Sequence, residues 1–170
     1  LFSPEKETLF SSVKPGAWLK AKGIYQYDRF ARDPILLCND LMLVQAARRR
    51  DTAGEKRVEL HLHTKMSAMD ALLDIDRALD LLAEWGHEAV AVTDHGVVQA
   101  FPEAYAAGKK RGIKIIYGIE GYLFDASQEK PRTHHVIILV KNQQGLRNLY
   151  KLVTAAHLEH FYRVPRIPKQ

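Results

Sequence analysis

Alternating apolar and polar positions dominate the first fifty residues. AWLKAKGIYQYD switches class at nearly every step, the period of a strand with one covered face, and PILLCNDLMLVQ repeats the pattern with a break at Asn39-Asp40 that predicts a turn or bulge. Two or three strands do not enclose a core alone. AARRRDTAGEK is charged and small, the composition of a linker. From Arg57 onward strand-like and helix-like stretches alternate, which predicts a parallel α/β arrangement. RVELHLHT reads as its first strand. ALLDIDRALDLLAEWG reads as a helix, with Ile75, Ala78, Leu79 and Leu82 at helical spacing, Asp74 as its cap and Gly86 as its exit. EAVAVTDHG is a buried strand running into a loop, and VQAFPEAYAAGKKRG a helix with Pro102 in its first turn or at a kink. IKIIYGIEGYLFD and HHVIILVK are the third and fourth strands, joined by the polar loop ASQEKPRT. NQQGLRNLYKLVTAAHLEH is a closing helix with Leu146, Leu149, Tyr150 and Val153 on one face.

The chain has 170 residues, 46% of them hydrophobic, enough for one ordinary core or for a small module beside part of a larger one. No apolar run approaches the roughly 18 residues of a membrane span, and no secretory leader is visible, so a cytoplasmic protein is expected. Its one cysteine, Cys38, excludes an internal disulfide and a thiolate metal site. The formal charge of +5 leans toward polyanions such as nucleic acid. Basic residues gather at RRR (residues 48–50), at KKRG and in the tail YRVPRIPKQ, where the first two clusters read equally as solvated helix ends and linker.

Chemistry concentrates in RVELHLHTKMSAMD. Residues two apart on a strand share a face, so His61 and His63 would present two imidazoles to one ion; alone, the pair reads equally as local hydrogen bonding. Its company shifts the balance. Asp70 follows in a loop, His95 lies in TDHG after the second strand, and Glu120 lies in YGIEGY near the end of the third. Ligand sites of parallel α/β folds gather at strand carboxyl ends, so these residues should converge, with Asp94 orienting a ligand from behind. Nitrogen and carboxylate donors without thiolates suit zinc, manganese or iron, and up to three ions, the equipment of metal-assisted phosphoester hydrolysis. His134 and His135 open the fourth segment, and spacing does not choose between them; an antiparallel excursion of that segment would bring one to the site. His87, His157 and His160 read as ordinary helix-end histidines, Ser67 and Cys38 as structural, and Trp18, Tyr25 and Tyr27 as core and rim aromatics or a base-stacking surface.

ELHLHTKMSAMD, AVTDHG, YGIEGYL and HHVIILVKNQQGLRNLYKLV, in this order, resemble the motifs of the polymerase and histidinol phosphatase (PHP) domain family, most nearly in PolC-type chains of bacterial DNA polymerase III. KPGAWLKAKGIYQYDRFARDPILLCNDLMLV is similar to the end of the OB-fold preceding that domain. The resemblance implies the end of an OB-fold over 1–47, a linker over 48–56 and the first part of a seven-stranded (β/α) barrel over 57–170, with metal ligands at His61, His63, Asp70, His95, Glu120 and His135. It is the resemblance that selects His135. It further implies zinc or manganese at this site, magnesium for polymerisation in a later part of the chain, and DNA, deoxynucleoside triphosphates and replisome subunits such as the sliding clamp as partners. The remaining barrel ligands are expected beyond residue 170, and the proofreading exonuclease that PolC-type chains carry between the third and fourth strands is missing near 125–133. A free-standing phosphatase of the histidinol-phosphate type and a nucleic-acid-binding module are the competing expectations.

Overall fold

The computed structural model describes residue 11 and residues 13–45 and 49–169. Arg48 of the RRR run lies outside them. The chain divides into two compact units, residues 1–50 and 51–170.

In the first unit, β1 (Trp18–Asp28) and β2 (Asp33–Val44) form an antiparallel pair. Lys22 is opposite Asp40 and Gly23 opposite Cys38, so Asn39 is the extra residue of a bulge. The expected break at Asn39-Asp40 is therefore a bulge within one continuous strand. Gly23 answers it: a Cβ there would run into the Leu37 carbonyl. Both faces of the pair are largely exposed, including Trp18, Tyr25 and Tyr27, so these aromatics are not core within the unit.

The second unit is a mixed α/β fold. Its elements are α1 (Ile75–Trp85), β3 (Ala89–Val92), α2 (Phe101–Arg111), β4 (Lys114–Asp125), β5 (Thr133–Leu139), α3 (Gln143–Leu158) and β6 (Arg166–Lys169). Asp74 caps α1 by accepting from the Asp76 and Arg77 amides, and Gly86, at φ 78°, ends it. Pro102 sits in the first turn of α2, where its missing N–H costs nothing. Asn142 accepts from the Gly145 amide to start α3.

β4 organises the sheet. β3 pairs with it in parallel over Lys114–Tyr117, β5 antiparallel over Gly118–Phe124, and β6 in parallel over Tyr122–Asp125. Since β5 and β6 both pair with Tyr122, they occupy opposite edges of β4. The antiparallel excursion of the fourth segment is thus present, and residues 126–132 alone join β4 to β5. Ile75, Leu79, Val90, Val92, Ala104 and Ile113 form one core among α1, β3 and α2. Ile119, Leu149, Ala156 and Ile167 form a second between β4, β6 and α3. Ile119 and Leu123 turn to that core, which leaves Glu120 and Tyr122 for the other face.

Two expectations need correction. RVELHLHT is not a regular strand; it keeps one bridge, Glu59 to Val90. The Ala91 amide donates to Glu59 O but the Thr93 amide donates to Leu62 O, so three residues on one side answer two on the other, and the His61 amide turns instead to Glu59 Oε1. The basic tail, conversely, contains β6, with Ile167 buried.

Candidate metal centre

The irregular segment 59–64, the loop after β3 and the middle of β4 meet in one place. The isolated bridge His95 to Glu120 extends the β3–β4 ladder past the end of β3, with the Gly96 amide donating to Glu120 O and the Glu120 amide to Asp94 O. His61 Nε2 lies 2.5 Å and His63 Nε2 2.7 Å from Glu120 Oε2, and the two nitrogens are 3.0 Å apart. His63 Nδ1 is 3.1 Å and His95 Nε2 2.9 Å from Asp70 Oδ2. His135 Nδ1 contacts Glu120 Oε1. All six expected ligand residues come together. The register decides the fourth segment: His135 pairs with Tyr122 and so shares the Glu120 face, whereas His134 pairs with Leu123.

These side chains form three overlapping groups, His61–His63–Glu120, His63–Asp70–His95 and His95–Glu120–His135, each with donor atoms within 4.8 Å of one another. The donor set fits divalent metals of the zinc and manganese type. A further observation favours that fit: among the described residues, His95 Nδ1 is a buried polar side-chain atom with no hydrogen-bond partner, a lone pair or N–H held at a cost.

Electrostatics agree. Burial pushes the Glu120 carboxyl up, but hydrogen bonds from His61, His135 and His63 outweigh it and hold the pKa at about 2. Hydrogen bonds from His63 and then His95 hold the Asp70 carboxyl below its ordinary value. Both are carboxylates at neutral pH, ready to balance cations.

Asp94 acts one step back. It is buried and accepts from the Thr64 amide (2.6 Å), Thr64 Oγ1 (2.8 Å) and Ser67 Oγ (2.7 Å), and Ser67 Oγ in turn accepts from the His95 amide. It therefore fixes the loop after His63 and the backbone of His95; no contact with an imidazole is formed. Ser67, read from sequence as structural, is buried and its hydroxyl links Asp94 to the His95 amide. Two residues escaped the sequence reading. Tyr122 stacks on His95 with centroids 5.6 Å apart and meets His135 edge-on at 5.0 Å; its place two residues after Glu120 was the available signal. His157 Nε2 donates to Gly96 O (3.0 Å), clamping the loop beside His95, and nothing local in its helix announces that. His87 pairs with Asp51 at 2.9 Å, so the segment expected as a linker is fastened at Asp51.

A sequence profile of the PHP domain matches residues 59–170, the stretch that carries all six residues. The chain belongs to the PHP domain family. Within it, similarity runs to PolC-type polymerases: 52% identity over 129 residues with "DNA polymerase III PolC-type" of Bacillus subtilis, covering 74% of this chain and 9% of that protein. The Pediococcus pentosaceus protein of the same name is 54% identical over 119 residues, 70% of this chain and 8% of that one. The PHP chain thus spans less than a tenth of these relatives. No helix among the described residues is long and apolar enough to cross a membrane.

Proposed function

We propose that residues 57–170 are the first part of the metal-binding PHP domain of a PolC-type replicative DNA polymerase, and that residues 1–47 are the end of the OB-fold before it. The parent chain would act in the cytoplasm on primed DNA with deoxynucleoside triphosphates and magnesium, beside replisome subunits such as the sliding clamp. The barrel of this domain would be completed by later sequence, and the short 126–132 connection leaves no exonuclease at this junction.

The observation that carries the reading is the meeting of His61, His63, Asp70, His95, Glu120 and His135 through shared carboxylate oxygens. These six would hold zinc or manganese, up to three ions. Ions there would activate water and neutralise phosphoryl oxygens, the requirement of phosphodiester hydrolysis. Glu120 and Asp70 supply negative charge to each imidazole group, Asp94 and His157 fix His95, and Tyr122 walls the site. Hydrolysis of a terminal phosphodiester by this centre is the function the geometry supports best. A second reading, metals as a scaffold, is favoured by the scatter of the ligands over four chain segments, which ions would staple together.

Hydrolysis of a model phosphodiester with manganese, compared between wild type and His95→Ala, separates them. Lost activity at an unchanged thermal midpoint supports catalysis. A large drop in midpoint with no activity in wild type supports the scaffold.

A further inference from the structure

The tail FYRVPRIPK was unaccounted for by the metal centre, yet it borders it. Arg166 is in register with Tyr122, and Pro165 packs so closely on Gly96 that a Cβ at Gly96 would come within 2.5 Å of Pro165 Cγ. Arg166 therefore stands on the Glu120 face of the sheet, two residues along β4, roughly 7 Å at strand rise.

We propose that Phe161 to Lys169 is a track for single-stranded nucleic acid leading into the metal centre, with Arg163 and Arg166 taking phosphates and Tyr162 stacking a base. The proposal rests on the function argued above for the end toward which the strand runs.

Three observations carry it. The Arg166 guanidinium lies 4.4 Å from the Phe124 ring centroid and 5.2 Å from that of Tyr162, and its Nε donates to His160 O, so it is held in place, and among the described residues its terminal nitrogens have no hydrogen-bond partner. Among the described residues, neither Arg163 nor Arg166 has a carboxylate partner within ion-pair distance. Tyr162 and Phe161 are 60% and 56% exposed, with the Arg163 guanidinium 5.6 Å from the Tyr162 centroid and the His157 ring stacked on Phe161 at 6.2 Å, so rings and cations alternate along the tail. Arg163 sits at φ 62° at the tip of a reversal closed by the Tyr162 amide on Val164 O, a conformation that costs a non-glycine residue free energy. Glu159 and Asp125 are the acidic neighbours; Asp125 is in register with Lys169 and Glu159 is 4.0 Å from His160, so the arginines keep their charge unshared. Cations interleaved with exposed rings suit a chain of phosphates and bases better than an acidic peptide, which offers nothing to stack.

The test is fluorescence anisotropy of the full chain with a labelled oligothymidylate of about 12 nucleotides, across a salt series, with metal content measured on every variant. Tyr162→Ala is expected to weaken binding about tenfold, and Arg163→Glu about tenfold with a salt slope shallower by about one. Arg166→Lys keeps the charge but not the planar fork and should lose affinity with its slope retained. Unchanged affinity and slope in Tyr162→Ala and Arg163→Glu would overturn the track. So would inorganic polyphosphate competing as well as the oligonucleotide while Tyr162→Ala has no effect, or an acidic peptide displacing it at equal charge. Normal metal content with no effect of the substitutions fails the track alone; altered DNA binding in a protein that holds no metal fails the metal reading and leaves the track.

Discussion

Glu120 is the residue on which the centre turns, because three imidazoles share its two oxygens. Its carboxyl is held at about 2, well under the ordinary value of 4.5. A depressed folded-state pKa gives stability that is present above the unfolded value and lost as pH falls through the folded one. In metal-free protein, thermal stability is therefore expected to fall between pH 4.5 and about 2 in wild type and to fall less in Glu120→Gln, measured by circular dichroism melts. Asp94 makes a separate demand. Its two oxygens accept three hydrogen bonds with no exposure to water, and an amide oxygen alone cannot replace them. Asp94→Asn should cost roughly 2–4 kcal/mol in chemical denaturation and weaken metal retention through the displaced His95 loop.

Elements show which parts of the sequence spoke for themselves. The helices were legible because each carries its own punctuation: Asp74 and Gly86 bound α1, Pro102 opens α2, and Asn142 opens α3. The amphipathic reading has a direct consequence. Leu79 is fully buried against Val90 and Val92 while Leu81, two residues on, is 44% exposed, so Leu79→Ala should cost about 2–5 kcal/mol and Leu81→Ala under about 1 kcal/mol by urea denaturation. The segment RVELHLHT has the alternation of a strand and fails to be one because Glu59 takes the His61 amide and the ladder slips by a residue, a competition among side chains that periodicity does not encode. β6 was hidden for the opposite reason. Its proline, the proline just before it and its basic residues argue against a strand, and only pairing with the far half of β4 makes RIPK one. The candidate site was legible to the extent that its residues lie in motifs; spacing left His134 and His135 open and only the resemblance selected His135, which the β4–β5 register puts on the Glu120 face, whereas the clamp from His157 needed α3 in place.

At the scale of the whole chain, the two units differ in what they owe to metal. All six clustered side chains lie in residues 51–170 and none in residues 1–50. Chelation of divalent ions should accordingly speed amide hydrogen exchange along β4 and β5 and leave exchange along β1 and β2 unchanged. Equal effects on both would mean that metal acts elsewhere. The proposed PHP centre itself is tested most directly by anomalous X-ray diffraction from crystals grown with manganese or zinc. Peaks are expected within about 2.0–2.3 Å of nitrogen and oxygen donors of His61, His63, Asp70, His95, Glu120 and His135. A folded, metal-saturated crystal with no peak among those six side chains would contradict the account.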